Sequence, residues 1–305
     1  MSRLRRALAL ASGVALLALA ALVVAQAPEG AFDKLREARP LPMLAGLAVY
    51  GSAYLARAVR LNLLLPKEDR IPFLRAYALS GATTFLLQVI PFRGGEVASW
   101  AAMRRELGMG WTRAGTTLLL VKIIDTATTL VVGLLGAAAL ASRRATPTLG
   151  TGAALLAGVG TVALVLIPFL AAPLARFLPE GSRRREVALG LRAPRLYFPA
   201  FGFGLLFMAG HLAGLYLLIT GLGVTVSVAG IAFATLASVL SAAVIPSPAG
   251  TFGSMEGGFA AGLALDGVAP ALGVVVGAVV HILSTGVTGL IAAPLSLQSR
   301  RAPEE

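Results

Sequence analysis

Residues 91–96 read PFRGGE and residues 246–256 read PSPAGTFGSME. Each stretch interrupts apolar sequence with proline and glycine, and each ends on a glutamate, Glu96 or Glu256. Unwound backbone at membrane depth is tolerated only where it lines a cavity or is buried in protein. Interrupted apolar segments at corresponding positions of two halves are typical of the substrate site of a transporter. We therefore expect the function of this chain to reside at the two breaks.

Matching residues follow the two breaks at equal distances. Past each break comes a further glycine, with polar residues 14 and 17 positions beyond it: Lys122 and Asp125 after Gly108, and His281 and Ser284 after Gly267. This match predicts two structural repeats, residues 71–141 and residues 225–297. The alternative to a repeat is coincidence, because glycine-rich membrane sequences also produce such matches by chance.

Composition indicates the class of chain that carries these repeats. Of its 305 residues 57% are apolar and 13% charged, and the mean hydropathy is +0.84. Apolar runs approach or exceed the roughly 20 residues that cross a bilayer as a helix. The sequence therefore predicts an all-α polytopic membrane protein. Its net charge of +12 comes from arginines at the ends of apolar runs, which are orientation signals, so we expect no nucleic-acid partner.

Metal and thiol chemistry are not expected. The chain has no cysteine, which excludes disulfides, thiolate ligands and cysteine nucleophiles. Its two histidines lie in different apolar spans, which makes a histidine-based metal site a poor fit. We predict no cofactor and no metal.

We expect one membrane domain over residues 1–305 with four parts: an N-terminal helix pair (7–64), repeat 1 (71–141), linking helices (148–221) and repeat 2 (225–297). Apolar spans run at about 7–26, 41–64, 71–90, 114–141, 148–175, 196–221, 225–245 and 269–297. The stretches after the breaks, 93–107 and 253–266, are too short to cross. If each broken segment returns to its starting side, about six full crossings and two re-entrant hairpins result.

Lysine and arginine positions predict the orientation. Nineteen fall in the segments assigned to the cytoplasm: Arg3, Arg5, Arg6, Arg57, Arg60, Lys67, Arg70, Arg75, Arg104, Arg105, Arg113, Arg176, Arg183, Arg184, Arg185, Arg192, Arg195, Arg300 and Arg301. Five fall outside: Lys34, Arg36, Arg39, Arg143 and Arg144. This bias predicts a multi-pass protein of the cell membrane with both termini cytoplasmic. Repeats 1 and 2 then enter from opposite sides, as an inverted repeat.

The first apolar run has two interpretations. Three arginines precede it, and residues 25–27 read AQA, which resembles a signal-peptidase site. The run from Ala7 to Val24 is longer than the usual 7–15-residue apolar core of a signal peptide. We therefore expect an uncleaved first helix.

The two breaks and the spacing of Lys122 and Asp125 resemble the flippase-like membrane region of lysylphosphatidylglycerol synthases, the multiple peptide resistance factors, and their stand-alone relatives. The resemblance covers about residues 7–297. It implies movement of lipids between leaflets, such as aminoacylated phosphatidylglycerol or lipid-linked sugars. Lys122 stands where the family usually has arginine, and His281 where a second arginine is common. Since no aminoacyl-transferase domain follows, we do not expect the chain to synthesise lysyl-lipid.

Charges inside apolar spans supply the candidate site, because each costs about 2.5–3.5 kcal/mol at a helix centre without a partner or water. A lipid phosphate between Arg93 and Lys122 would offset that cost, and amides of the glycine-rich turns would add donors. Glu256 would pair with a headgroup amine or carry a coupling proton. The predicted substrate-binding residues are Arg93, Gly94, Gly95, Glu96, Lys122, Asp125, Gly250, Gly253, Glu256 and His281. Alternatively, Arg93 with Glu96 and Lys122 with Asp125 form local ion pairs that only hold the hairpins.

These residues favour a lipid flippase over two other classes. We expect the five charges Arg93, Glu96, Lys122, Asp125 and Glu256 to converge on one central cavity, and the partner to be a membrane phospholipid or lipid-linked substrate. A secondary transporter of a small polar solute is the second class, because such transporters are also built from inverted repeats. An enzyme, or the membrane scaffold of a lipid-modifying enzyme, is the third class, but no acid pair at metal-ligand spacing supports catalysis.

Overall fold

Ten α-helices and two short 3-10 helices, with no β-strand, make up the part of the chain that the structure describes, residues 38–90, 94–143, 147–191, 195–245 and 251–298. The structure is a computed structural model. The α-helices are α1 (Pro40–Leu64), α2 (Phe73–Val89), α3 (Gly94–Leu107), α4 (Trp111–Arg143), α5 (Pro147–Leu174), α6 (Arg183–Gly190), α7 (Tyr197–Gly221), α8 (Val228–Val244), α9 (Ser254–Ala264) and α10 (Pro270–Gln298). The 3-10 helices are Lys67–Asp69 and Ala175–Phe177. The expected first helix at 7–26, Arg93 and Gly250 lie outside the described residues.

Three helices in the described ranges are long and apolar enough to cross a membrane. They are α4, α7 and residues Pro270–Leu295 of α10, with hydropathy of 1.8 to 2.1. This confirms the all-helical, membrane-embedded class. By contrast, α2 and α8 have 17 residues each, or about 25 Å at 1.5 Å per residue, less than the hydrocarbon thickness of about 30 Å. Their length suits the predicted re-entrant hairpins, which remain a prediction.

The two predicted repeats have the same order of elements. Each begins with a 17-residue helix, α2 or α8, which is followed by a break and a short helix, α3 or α9. Each short helix is followed by a glycine with positive φ, Gly108 at 66° or Gly267 at 94°, and then by a long helix, α4 or α10. Left-handed backbone at these points favours glycine. The matched glycines in the sequence thus occupy matching turns.

The repeats pack on each other reciprocally. Helix α2 of the first unit packs against α10 of the second, and α8 of the second packs against α4 of the first. The second break also contacts the first unit, because the backbone N–H of Thr251 donates to the carbonyl of Gln88 in the last turn of α2 at 3.3 Å. A two-fold relation between the units would produce such exchanged contacts. The inverted orientation about an axis in the membrane plane remains a prediction.

Small residues let the helices approach closely. A Cβ on Gly46 of α1 would lie 2.8 Å from the carbonyl oxygen of Gly214 in α7, and a Cβ on Gly136 of α4 would lie 2.6 Å from that of Ala229 in α8. Helix pairs in membranes use such small residues because lipid provides no hydrophobic drive for association. The α1–α7 pair and the reciprocal units together enclose the polar residues described next.

Candidate translocation site

Glu256 lies in the first turn of α9 and makes two close contacts. Its Oε2 accepts the backbone N–H of Gly253 at 2.6 Å, which satisfies one of the free amides at the helix start. Its Oε1 lies 2.6 Å from Nδ1 of His281 on α10. Gly253 has a φ of +87°, so the turn that aims Glu256 inward favours glycine. The side chains of Glu256 and His281 are each 4% exposed.

His281 is held on both sides. If the Glu256 carboxylate is ionised, it has no hydrogen to give and Nδ1–H of His281 is the donor. The other ring nitrogen, Nε2, lies 3.3 Å from the Thr251 hydroxyl, which can donate to a neutral ring. The Phe252 ring stacks on the imidazole at 3.9 Å with an interplanar angle of 8°. The second break therefore supplies three consecutive contacts to this histidine or its glutamate, from Thr251, Phe252 and Gly253.

The Glu256–His281 pair lines a cavity of about 100 Å³. A water molecule occupies about 30 Å³ in the liquid, so the cavity has room for roughly three. Its walls include Gln88 of repeat 1 and Tyr50 and His211 of the α1–α7 pair. Nδ1 of His211 is buried and has no hydrogen-bond partner among the described residues. The site is polar enough to hold water and draws on both repeats.

A second charged group lies between α1 and α4. Asp125 accepts from Arg57 at 2.7 Å through Oδ2 and lies 2.7 Å from Nη1 of Arg60 through Oδ1. Arg57 also donates to the Thr84 hydroxyl at 2.6 Å, and the Arg60 side chain is only 1% exposed. Nε of Arg60 has no hydrogen-bond partner among the described residues. Two guanidinium groups sharing one carboxylate leave this group with a formal charge of +1.

Aromatic side chains connect the arginines to the cavity. The Arg57 guanidinium lies 5.4 Å from the ring centre of Tyr54 and 5.0 Å from that of Phe207, both within cation–π range. The hydroxyls of Tyr54 and Tyr50 are 3.4 Å apart, and Tyr50 lines the cavity. The positive group and the Glu256–His281 pair are therefore separated by a short row of rings rather than by a plain aliphatic core.

The third charged contact is more open. Lys122 donates to Glu96 at 2.9 Å, and the two side chains are 32% and 53% exposed. The adjacent Gly95 permits the first hairpin to close, because a Cβ there would lie 2.4 Å from the carbonyl oxygen of Leu86. Gly94 is less restrictive, since its Cβ would meet only the side chain of Ile90 at 2.9 Å. The close approach of α3 to α2 therefore depends on Gly95 more than on Gly94, and a substrate contact at either glycine stays a prediction.

The described residues therefore divide the predicted charges among three contacts. Glu256 and His281 line the cavity, whereas Glu96, Lys122 and Asp125 are not among its described lining residues, so the convergence of all the predicted charges on one cavity stays a prediction. The proposed local pair of Lys122 with Asp125 is wrong, because each has a partner on another helix. The physical reason is that Arg57 and Arg60 already form ion pairs with Asp125, so Lys122 pairs with Glu96 instead.

Sequence reasoning assigned Arg57 and Arg60 to a cytoplasmic segment, whereas the structure places both in α1 with their side chains mostly buried. The two arginines are three residues apart within an apolar span, which places them on one helix face. This spacing is the sequence feature that could have identified them as candidate site residues. Gln88 also lines the cavity, and its side-chain oxygen accepts from the hydroxyls of Thr285 and Thr288 of α10.

These features define a helical membrane protein with polar and charged side chains inside the helix bundle. The sequence model described as "Lysylphosphatidylglycerol synthase TM region" matches residues 6–292. The chain belongs to this family, which confirms the resemblance carried by its two breaks. A search of curated proteins gives no significant match.

Proposed function

We propose that the protein moves a phosphate-bearing membrane lipid between leaflets, as a translocase rather than an enzyme. Family membership and the apolar helices support a membrane role related to lipids. The substrate we propose is an anionic or aminoacylated phospholipid or a lipid-linked intermediate. The step from a lipid-related membrane protein to a translocase rests on the charges inside the bundle.

The buried group of Arg57, Arg60 and Asp125 carries this proposal. Burying a charge is costly unless it is paired, and here one carboxylate serves two arginines. A phosphate would supply the missing negative charge, and guanidinium groups suit phosphate because their planar fork binds two oxygens at once. The free Nε of Arg60 is one donor available for that purpose.

Glu256 and His281 provide a group of opposite character on the other side of the tyrosines. With a neutral imidazole the pair is negative, and with one added proton it is neutral overall. The negative form would attract a headgroup amine, whereas proton uptake would release it. This pair therefore supplies both a second headgroup contact and a site for a coupling proton.

Movement of the repeats would open the cavity. A volume of about 100 Å³ is too small for a phospholipid headgroup, so in this proposal the cavity must widen before it takes the headgroup. Cavity walls come from Gln88 in repeat 1 and from Glu256 and His281 in repeat 2. Rocking of one unit against the other would expose such a site to each leaflet in turn.

The same cavity size favours a second candidate, a secondary transporter of a small polar solute. Reconstitution separates the two. Purified protein is placed in liposomes that contain phosphatidylglycerol labelled on its headgroup, and the fraction accessible to an external quencher is followed over time. Equilibration of the lipid between leaflets, faster than in protein-free liposomes, supports the translocase. Uptake of labelled amino acids or sugars without lipid movement would support the solute transporter instead.

A further inference from the structure

A second, larger pocket lies away from the cavity, where the end of α1, the start of α4 and the segment before α7 meet. Its volume is about 570 Å³, within the range of about 300–1,000 Å³ typical of small-molecule sites. Four cationic residues line it: Lys67, Arg70, Arg113 and Arg195. No carboxylate is among its lining residues in the described part of the chain.

Most of this positive charge is not offset. Arg113 forms an ion pair with Asp69, whereas Lys67, Arg70 and Arg195 have no ion pair among the described residues. The 3-10 helix Lys67–Asp69 also carries Glu68, which does not line the pocket. Three cations with free donors around one concave surface form an anion site by charge and geometry.

The remaining walls are apolar. Leucines form them at positions 63, 64, 65, 120 and 196, and the side chains of Thr116 and Thr117 lie beside them. Gly190 at the end of α6 lets this helix lie close to Thr116, because a Cβ at Gly190 would be only 2.9 Å from the Thr116 side chain. The two residues close one side of the pocket. A ligand that fills this pocket should therefore have an anionic head and an apolar body.

The lining cations come from three segments far apart in sequence, 67–75, 104–113 and 176–195. The lysine and arginine distribution assigns all three to the cytoplasmic side, and the structure brings them together at one end of the bundle. Basic pockets between helices at the cytoplasmic surface are suited to anionic headgroups, because that leaflet carries anionic lipid.

From this combination we infer that the pocket binds the phosphate of an anionic phospholipid at the cytoplasmic face, with the acyl chains against the leucine wall. It shares no lining residue with the central cavity. It is a separate site from the proposed translocation site, and lipid bound there is held by Lys67, Arg70 and Arg195 while the Arg113–Asp69 pair fixes the wall. Lipid binding to this pocket can be measured without any lipid transfer. The inference can therefore be tested independently of the proposed function.

The test is a titration of the purified full chain in detergent with short-chain phosphatidylglycerol, followed by native mass spectrometry and thermal unfolding. The test variant combines Lys67→Gln, Arg70→Gln and Arg195→Gln, which leaves the Arg113–Asp69 pair intact. The control combines Arg143→Gln, Arg176→Gln and Arg184→Gln, three exposed cations outside the pocket. Both variants lose the same formal charge.

We expect the wild-type protein and the control variant to bind the lipid saturably. The test variant should bind it roughly 100-fold more weakly. A parallel titration with inorganic phosphate identifies the source of the anion. Much weaker binding of phosphate than of the lipid supports a headgroup site, whereas equally tight phosphate binding with the same variant dependence assigns the pocket to a soluble phosphate. Equal affinity of the test and control variants for the lipid would overturn the inference, provided that both unfold near the wild-type temperature.

Discussion

Nδ1 of His281 in α10 is hydrogen-bonded to Oε1 of Glu256 in α9 at 2.6 Å, and both side chains are almost completely buried. The two residues stand 25 positions apart, in different parts of the second repeat. A carboxylate at the start of a helix is stabilised by the free amides and the helix dipole, here through Gly253. The histidine adds a partner that can gain or lose a proton. Glu256 is therefore a supported charge inside the bundle rather than an isolated one.

Removing the shared carboxylate of the arginine group should destabilise the protein. In Asp125→Asn, Arg57 and Arg60 lose their counter-charge inside the bundle, which we expect to cost about 3–5 kcal/mol of the free energy of unfolding. Thermal unfolding in detergent measures the loss. Adding Arg60→Gln to Asp125→Asn should recover part of it, because one unpaired charge is removed. If the double variant is no more stable than Asp125→Asn, the two residues are not coupled.

The Glu96–Lys122 pair should contribute little to stability, because it is partly exposed. We expect Glu96→Gln and Lys122→Gln each to change the free energy of unfolding by at most about 1 kcal/mol. Lipid transfer by the same variants then reports on function alone. A large loss of stability in either variant would contradict this expectation and show that the Glu96–Lys122 pair holds the first hairpin together.

Gly95 should be indispensable for packing of the first hairpin. Gly95→Ala forces a Cβ to within 2.4 Å of the Leu86 carbonyl oxygen, so α3 must shift from α2, at a cost of about 1–3 kcal/mol. The matched control is Gly110→Ala, because a Cβ there meets nothing within 4 Å and its φ is not positive. Thermal unfolding of both variants tests the claim. Similar unfolding temperatures for the two would contradict the close approach.

How far the sequence predicted this structure depends on the kind of feature. The breaks, and the equivalence of Gly108 with Gly267, follow from local rules about glycine, proline and apolar spans, and the structure reproduces them. Partners across helices do not follow from such rules. Glu256 and His281 were each singled out, but nothing in their spacing showed that they would meet.

The arginines illustrate the same limit. Arg57 and Arg60 stand near the end of an apolar span, where a charge-counting rule treats them as loop residues. Only the packing of α1 against α4 turns them toward Asp125, which lies 68 positions after Arg57. Since charge counting weighs position along the chain and not helix face, it could not separate orientation signals from buried site residues.

Orientation can be measured with single cysteines, because the chain contains none. We expect Arg184→Cys to react with a membrane-impermeant maleimide only from the cytoplasmic side, and Arg143→Cys only from the outside. Both positions are exposed in the structure. Labelling in sealed right-side-out and inside-out vesicles distinguishes the two. Reaction of both cysteines from the same side would contradict the predicted topology and with it the inverted repeat.

The central claim is that charges inside the helix bundle bind the lipid headgroup, and Glu256→Gln tests it most directly for the Glu256–His281 pair. Glutamine keeps the size of the side chain and an oxygen for the Gly253 amide, so we expect an unfolding temperature near that of the wild type. Glu180→Gln, in which a 91% exposed glutamate is changed in the same way, serves as the control. In liposomes with headgroup-labelled phosphatidylglycerol, wild type and Glu180→Gln should equilibrate the lipid between leaflets, while Glu256→Gln should do so no faster than protein-free liposomes. Full transfer by Glu256→Gln would remove this residue from the mechanism, and loss of folding would assign it to architecture.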